Sequence, residues 1–180
     1  LVNSIAQPVR NYRAYNPVTD AHFYTTNRAE FDNAVQHGFR DESTGRSGFE
    51  VLSDLAPNAT PIYRMYNIQT GQHYYTTNAA ERDFLVSIIP PPPSGPDTRT
   101  IGWRYEHQEG YIYSVDQPGT TPIYRLYNRN SGVHMFTENA AIRDAVLAIA
   151  GADGASHPWE LHATFGYGIA VLAVIDSIGT

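Results

Sequence analysis

The residue types best suited to hold a polar ligand are gathered in one aromatic stretch: Trp103, Tyr105, Glu106, His107 and Tyr111. Sugars are bound by such sets. A flat ring lies under the C–H face, and carboxylates, Asn or His groups bond the hydroxyls. Polar groups buried without their ligand are costly, and that cost makes a site selective. Similar sets stand earlier, at Phe39, Asp41 and Glu42, and later, at Trp159, His162 and Tyr167. The third set has lost the Glu, so at most two sites are expected to be equivalent. The opposing expectation is that these rings fill a core. Glu106 and Glu109 also have the composition of a glycosidase carboxylate pair. No G-x-S-x-G elbow, H-E-x-x-H helix, phosphate loop or Cys nucleophile is present. The expectation is therefore a protein that is not an enzyme and needs no cofactor.

Each set follows a segment written three times: YRAYNPVTDAHFYTTN from Tyr12, YRMYNIQTGQHYYTTN from Tyr63 and YRLYNRNSGVHMFTEN from Tyr124. Repeats of this size mean one supersecondary unit copied, each copy burying its apolar face against the others. In the second copy, residues 61–67 alternate as a strand, with Tyr63 and Met65 on one face and Arg64 and Tyr66 on the other. Residues 67–71 carry turn chemistry, ending on Gly71, and 72–77 form the return strand. Asn78 caps a helix over 79–88, with Glu81 in the place of a capping-box acid. Asn27 and Glu30 repeat that pair, whereas Asn139 is followed by Ile142, which predicts a weaker helix start.

Two aromatic strands are expected after each helix, at 102–106 and 111–113, at 38–41 and 48–52, and at 159–162 and 167–174. The links to them differ. One is a stiff proline run over 90–96, and another a Gly- and Ala-rich loop over 150–155. The fold class is thus mainly β with short helices. Three strand-strand-helix-strand-strand units (8–60, 61–120 and 121–180) form one domain over 1–180 in pseudo-threefold arrangement. A small three-bladed propeller-like form is favoured, because the hairpins look like meander strands. The alternative is a β-trefoil with helical insertions. Both closures remove sheet edges.

Repetition marks core and site positions alike. Arg13, Arg64 and Arg125 share one strand position and are expected in ion pairs or in bonds to backbone carbonyls, with ligand contact as the alternative. His22, His73 and His134 also recur. Their expected role is bonding to neighbours, and the alternative is a tris-histidine metal site on the threefold axis. The runs from Tyr24 to Asn27 and from Tyr75 to Asn78 read as scaffold.

The chain of 180 residues is 42% apolar and carries a net charge of −6, which argues against nucleic acid and anionic membranes as partners. Thirteen Tyr suit both strands and polar-ligand surfaces. There is no Cys and no apolar run long enough to span a bilayer. The chain opens on Leu1 rather than Met, which reads as the trace of a removed leader, and Asn58-Ala-Thr60 is a sequon weakened by Pro61.

The pattern YRxYN…HFYTTN…GWxYE resembles a tandem-repeat family of secreted bacterial and fungal proteins, catalogued as a repeat of unknown function and often attached to cell-wall lysozymes. The resemblance covers residues 8–175. It departs after residue 150, where GWxYE becomes Pro158-Trp-Glu-Leu-His162. It implies an extracellular surface-recognition or carbohydrate-binding module and supplies no catalytic residue. The combined expectation is a secreted, multivalent, lectin-like protein binding cell-surface or cell-wall glycans through repeated shallow sites. A protein-interaction or structural module and a cell-wall polysaccharide hydrolase are the alternatives.

Overall fold

A computed structural model of the chain describes residues 6–43, 48–151, 154 and 156–170. The first repeat consists of β1 (Pro8–Asn16), β2 (Ala21–Thr25), α1 (Arg28–Gln36), β3 (Arg40–Asp41) and β4 (Phe49–Leu52). The second has β5 (Ala59–Asn67), β6 (His73–Thr76), α2 (Ala79–Ile88) and β7 (Trp103–Tyr113). The third has β8 (Thr120–Asn128), β9 (His134–Thr137), α3 (Ala140–Leu147) and β10 (Trp159–Ile169). Residues 171–174, expected in the last strand, and 152, 153 and 155 of the Gly/Ala loop lie outside the described residues. None of the described helices is long and apolar enough to cross a membrane.

The turn and cap signals act as their chemistry requires. The Asn that ends each YRxYN strand folds its side chain onto the turn. Asn67 Oδ1 accepts the N–H groups of Gln69 and Thr70, and Asn16 and Asn128 do the same in their repeats. Each helix is capped by Asn27, Asn78 or Asn139, whose side chain accepts two backbone N–H groups. The capping-box Glu behaves differently from expectation. Glu30 does not reach back to the cap residue. Thr25 Oγ1 accepts the Asn27 N–H at 3.0 Å and donates to Glu30 Oε2 at 2.6 Å, which leaves the rest of that carboxylate free to face outward from its own repeat.

The long strands correct the expected count. In the second and third repeats the two strands after the helix are one, β7 and β10, because β-bulges join the segments. Against β5, the register of β7 skips residue 106 and again residue 109. Against β8, β10 skips residues 162 and 165. Each repeat is then a three-stranded antiparallel sheet in the order β2-β1-β4, β6-β5-β7 and β9-β8-β10, with the short β3 also pairing with β1. The three sheets join through their last strands. Leu52 pairs with Tyr111, Tyr113 with Tyr167, and Ile169 with Glu50. The combined antiparallel sheet stays open at β2, β6 and β9.

One core cluster takes residues from all three repeats, with Tyr24, Tyr75 and Phe136 at its centre and Phe49, Val51, Ile62, Ile112, Ile123 and Phe165 around them. The three central rings meet edge-to-face, at centroid distances of 5.4–6.0 Å. Edge-to-face contact sets the positive ring edge against a neighbour's negative face. The Tyr-Thr-Thr-Asn run is accordingly scaffold: ring at the centre, Thr25 buried, Asn27 at the cap.

Candidate ligand-binding site

The bulges decide where the polar residues point. A bulge adds a residue to one strand and re-aims its side chain. Strict alternation would put Glu106 and Glu109 on opposite faces of β7, yet both reach Arg64. Arg64 Nε donates to Glu106 Oε2 at 2.7 Å, and Nη1 lies 3.2 Å from Glu109 Oε2. Glu30 of the first repeat closes the same guanidinium at 2.7 and 2.9 Å. Arg64 is buried and Glu109 almost fully so. Burial works against the Arg64 charge, and its contacts with Glu30 and the neighbouring carboxylates outweigh it. Glu30 is held at a pKa of about 2 by Arg64 and Thr25, and Glu106 is held below the usual carboxylate range by His73 and Arg64. Glu106 is therefore an anion and an acceptor at neutral pH, not the raised-pKa acid that glycoside cleavage needs.

The repeated histidines belong to the same construction. His73 Nε2 lies 3.3 Å from Glu106 Oε2, the oxygen that also receives Arg64 Nε. In the first repeat, Glu42 Oε2 meets His22 Nε2 at 3.3 Å and Arg13 Nε at 2.9 Å, the latter close but poorly aligned for a hydrogen bond. The expected ion pairs of the repeated Arg thus exist for Arg13 and Arg64. The third repeat differs because His162 stands where Glu106 stands. Arg125 donates to Tyr74 Oη and lies 3.3 Å from His134 Nε2, and the His134 and His162 rings are 5.8 Å apart. Burial, then the Arg125 charge, then His162 lower His134 to a pKa of about 3, so its imidazole is neutral at pH 7.

His22, His73 and His134 line one pocket of about 270 Å³, together with Gln72, Tyr74, Glu81, Leu85, Trp103, Tyr127 and Val133. The pocket lies where the three hairpins converge. Its aromatic wall joins two repeats: Tyr74 meets His134 of the third repeat at 5.1 Å, and within the repeats Tyr74 meets Trp103 at 5.8 Å and Tyr127 meets His134 at 4.8 Å. Tyr74 and Thr76 both donate to Glu81, which fixes this acid beside the opening. Among the described residues no group of three His, Asp or Glu side chains is arranged to hold a metal ion, so the three histidines share a pocket without forming a coordination site.

The residues singled out from sequence are dispersed. Trp103 lines the pocket, and Glu106 and Glu42 stand behind it, gripping His73 and His22. His162 borders His134 and Tyr127. Tyr105 is exposed and packs with Tyr63 beneath Arg82. His107 is bonded to Glu109 at 3.0 Å. Phe39 packs edge-on against Phe23 in a satellite core, and Asp41 accepts the Ser43 N–H in a turn. Tyr111 and Tyr167 sit where the last strands cross, and Trp159 pairs with Asn128 at the start of β10. Phe39, Asp41, Tyr105, Tyr111, Trp159 and Tyr167 therefore do not join Trp103 in the pocket. Tyr74, Gln72, Glu81 and Tyr127 were missed. The available signal was variation at a fixed repeat position, since Phe23, Tyr74 and Met135 occupy equivalent places.

No curated protein and no solved structure matches the chain. Residues 10–151, which carry the first two repeats and the third through α3, match one family, and the chain belongs to it: the domain of unknown function DUF5648.

Proposed function

We propose that the protein is a lectin-like carbohydrate-binding protein without catalytic activity, recognising cell-surface or cell-wall glycans outside the cell. The observation that carries the reading is the pocket in which Trp103, Tyr74 and Tyr127 stand beside three histidines, Gln72 and Glu81. Its volume of about 270 Å³ is at the small end for ligand sites and suits one sugar unit. Aromatic rings offer a platform for a pyranose face, and the neutral His134 and the Glu81 anion offer hydroxyl partners. The three repeats then build one composite site in place of three separate shallow ones. In the same reading the three sheets are blades of a small propeller-like assembly. The mutual pairing of β4, β7 and β10 supports that shape.

The test is a glycan array with a cell-wall polysaccharide pull-down, run on the wild type and on Trp103→Ala. Binding that the variant loses supports the reading, and blank arrays at high protein concentration sink it. A second reading, a protein-docking module, is favoured by α2, which buries none of its residues and exposes Phe84 at 63% and Ile88 at 55%. That reading predicts glycan arrays without signal and a partner lost on Phe84→Asp.

A further inference from the structure

Three equivalent Arg–His pairs differ in one component. In the first two repeats a single carboxylate oxygen bridges Arg Nε and His Nε2, supplied by Glu42 to Arg13 and His22 and by Glu106 to Arg64 and His73. In the third repeat the bulge residue is His162, and among the described residues no carboxylate lies within ion-pair distance of Arg125. Arg125 Nε is buried and has no hydrogen-bond partner; Arg13 Nε is likewise unbonded but has the Glu42 carboxylate 2.9 Å away, whereas Arg125 has none among the described residues. A buried guanidinium N–H left unbonded is costly, and an anion is its natural acceptor. Glu81 makes no direct contact with Arg125: Thr76 and Tyr74 both donate to Glu81, and the same Tyr74 hydroxyl accepts from Arg125.

The two groups that Arg125 does touch, Tyr74 and His134, both line the pocket. We infer that the pocket takes an acidic sugar, whose carboxylate lies against Arg125 and His134 as the Glu106 carboxylate lies against Arg64 and His73. The inference rests on the carbohydrate reading and names its ligand class: a uronic acid or another glycan unit bearing a carboxylate. His162 adds a second imidazole at this end, 5.8 Å from His134, and no acid. A neutral sugar would fill the aromatic part of the pocket and leave Arg125 Nε as it is.

The experiment titrates the protein with D-galacturonate and D-glucuronate against D-galactose and D-glucose. Acetate serves as a carboxylate without a sugar. The readout is Trp103 fluorescence in a Trp159→Phe background. Each uronate is expected to half-saturate at a concentration about tenfold or more below its neutral parent, the scale of a charge-assisted hydrogen bond. His162→Glu, which recreates the second-repeat arrangement, is expected to remove that advantage, and His162→Gln to keep it. Independently of any variant, saturating uronate is expected to raise the His134 pKa in the wild type, read by NMR. Equal binding of acidic and neutral sugars, a preference that survives His162→Glu in folded protein, or an unmoved His134 overturns the inference and leaves the sugar reading standing. Acetate binding as tightly as the uronates also overturns it, since the sugar then contributes nothing. No response to any sugar overturns both.

Discussion

The hydroxyl of Tyr24 sits between the backbone N–H and C=O of Phe136, accepting from the nitrogen at 2.8 Å and donating to the oxygen at 3.1 Å. Tyr75 does the same to Tyr24, at 2.8 and 2.7 Å. A tyrosine ring from one hairpin thus completes the backbone bonding of another, at a point where sheet pairing supplies none. The third position is Phe136, which has no hydroxyl to give Tyr75. Burial lifts the Tyr24 hydroxyl to a pKa of about 12, so it stays protonated and can donate.

Tyr75→Phe removes both bonds to Tyr24 and leaves a buried N–H without its acceptor, a loss of about 1–3 kcal/mol. Phe136→Tyr supplies the third hydroxyl and is expected to add about 0.5–1.5 kcal/mol. Thermal melts check both: the first variant falls by several degrees and the second rises.

Arg64→Met leaves Glu30, Glu106 and Glu109 facing one another without their cation. Breaking a buried pair by removing one partner costs about 3–5 kcal/mol. The urea midpoint should fall accordingly, and adding Glu109→Gln should recover part of the loss. Arg125→Met, which strands no directly bonded carboxylate, should cost much less.

Acid should unfold the protein in two overlapping stages. His134 is neutral in the fold down to a pKa of about 3, whereas an unfolded His takes its proton near pH 6.5. Unfolded chains bind more protons in that window, so stability falls as pH drops from about 6.5 toward 3. Glu30, depressed to about 2 in the fold against about 4.3 unfolded, contributes stability above pH 4.3 that is lost as pH falls toward 2. Urea midpoints measured against pH check the sign, and Glu30→Gln should flatten the curve below about pH 4.

Gly168 lies where β10 passes β4. A Cβ there would stand 2.7 Å from the Glu50 carbonyl oxygen and 3.1 Å from Ile123 Cδ1. Gly168→Ala must part the strands and is expected to cost about 1–3 kcal/mol by denaturant titration. Hydrogen exchange should show the added opening along β10 and β4.

The hairpin, turn and capped helix over 61–88 were legible because each rests on local chemistry: alternation, the Asn67 turn and the Asn78 cap. The long strands were not. A bulge breaks the period-two pattern, so β7 reads as two fragments, and the convergence of Glu106 and Glu109 on Arg64 is hidden by the alternation that should reveal it. The pocket was illegible for a different reason. Its histidines come from three hairpins far apart in sequence, and no local period reports that they meet. The ion pairs of Arg13 and Arg64 follow from their chemistry, since a buried guanidinium needs an acceptor. Arg125 departs because one residue, His162, changed on a strand distant in sequence.

β4, β7 and β10 each cross the other two, so the last repeat grips the first across the whole length of the chain. In an open solenoid, units can be gained or lost at an end while the rest keep their contacts. Here each last strand pairs with the other two, so removing any one unit would bare pairing positions on both survivors. The units differ inside this shared frame at Phe136 and His162, where the third repeat lacks the hydroxyl and the carboxylate that its siblings carry.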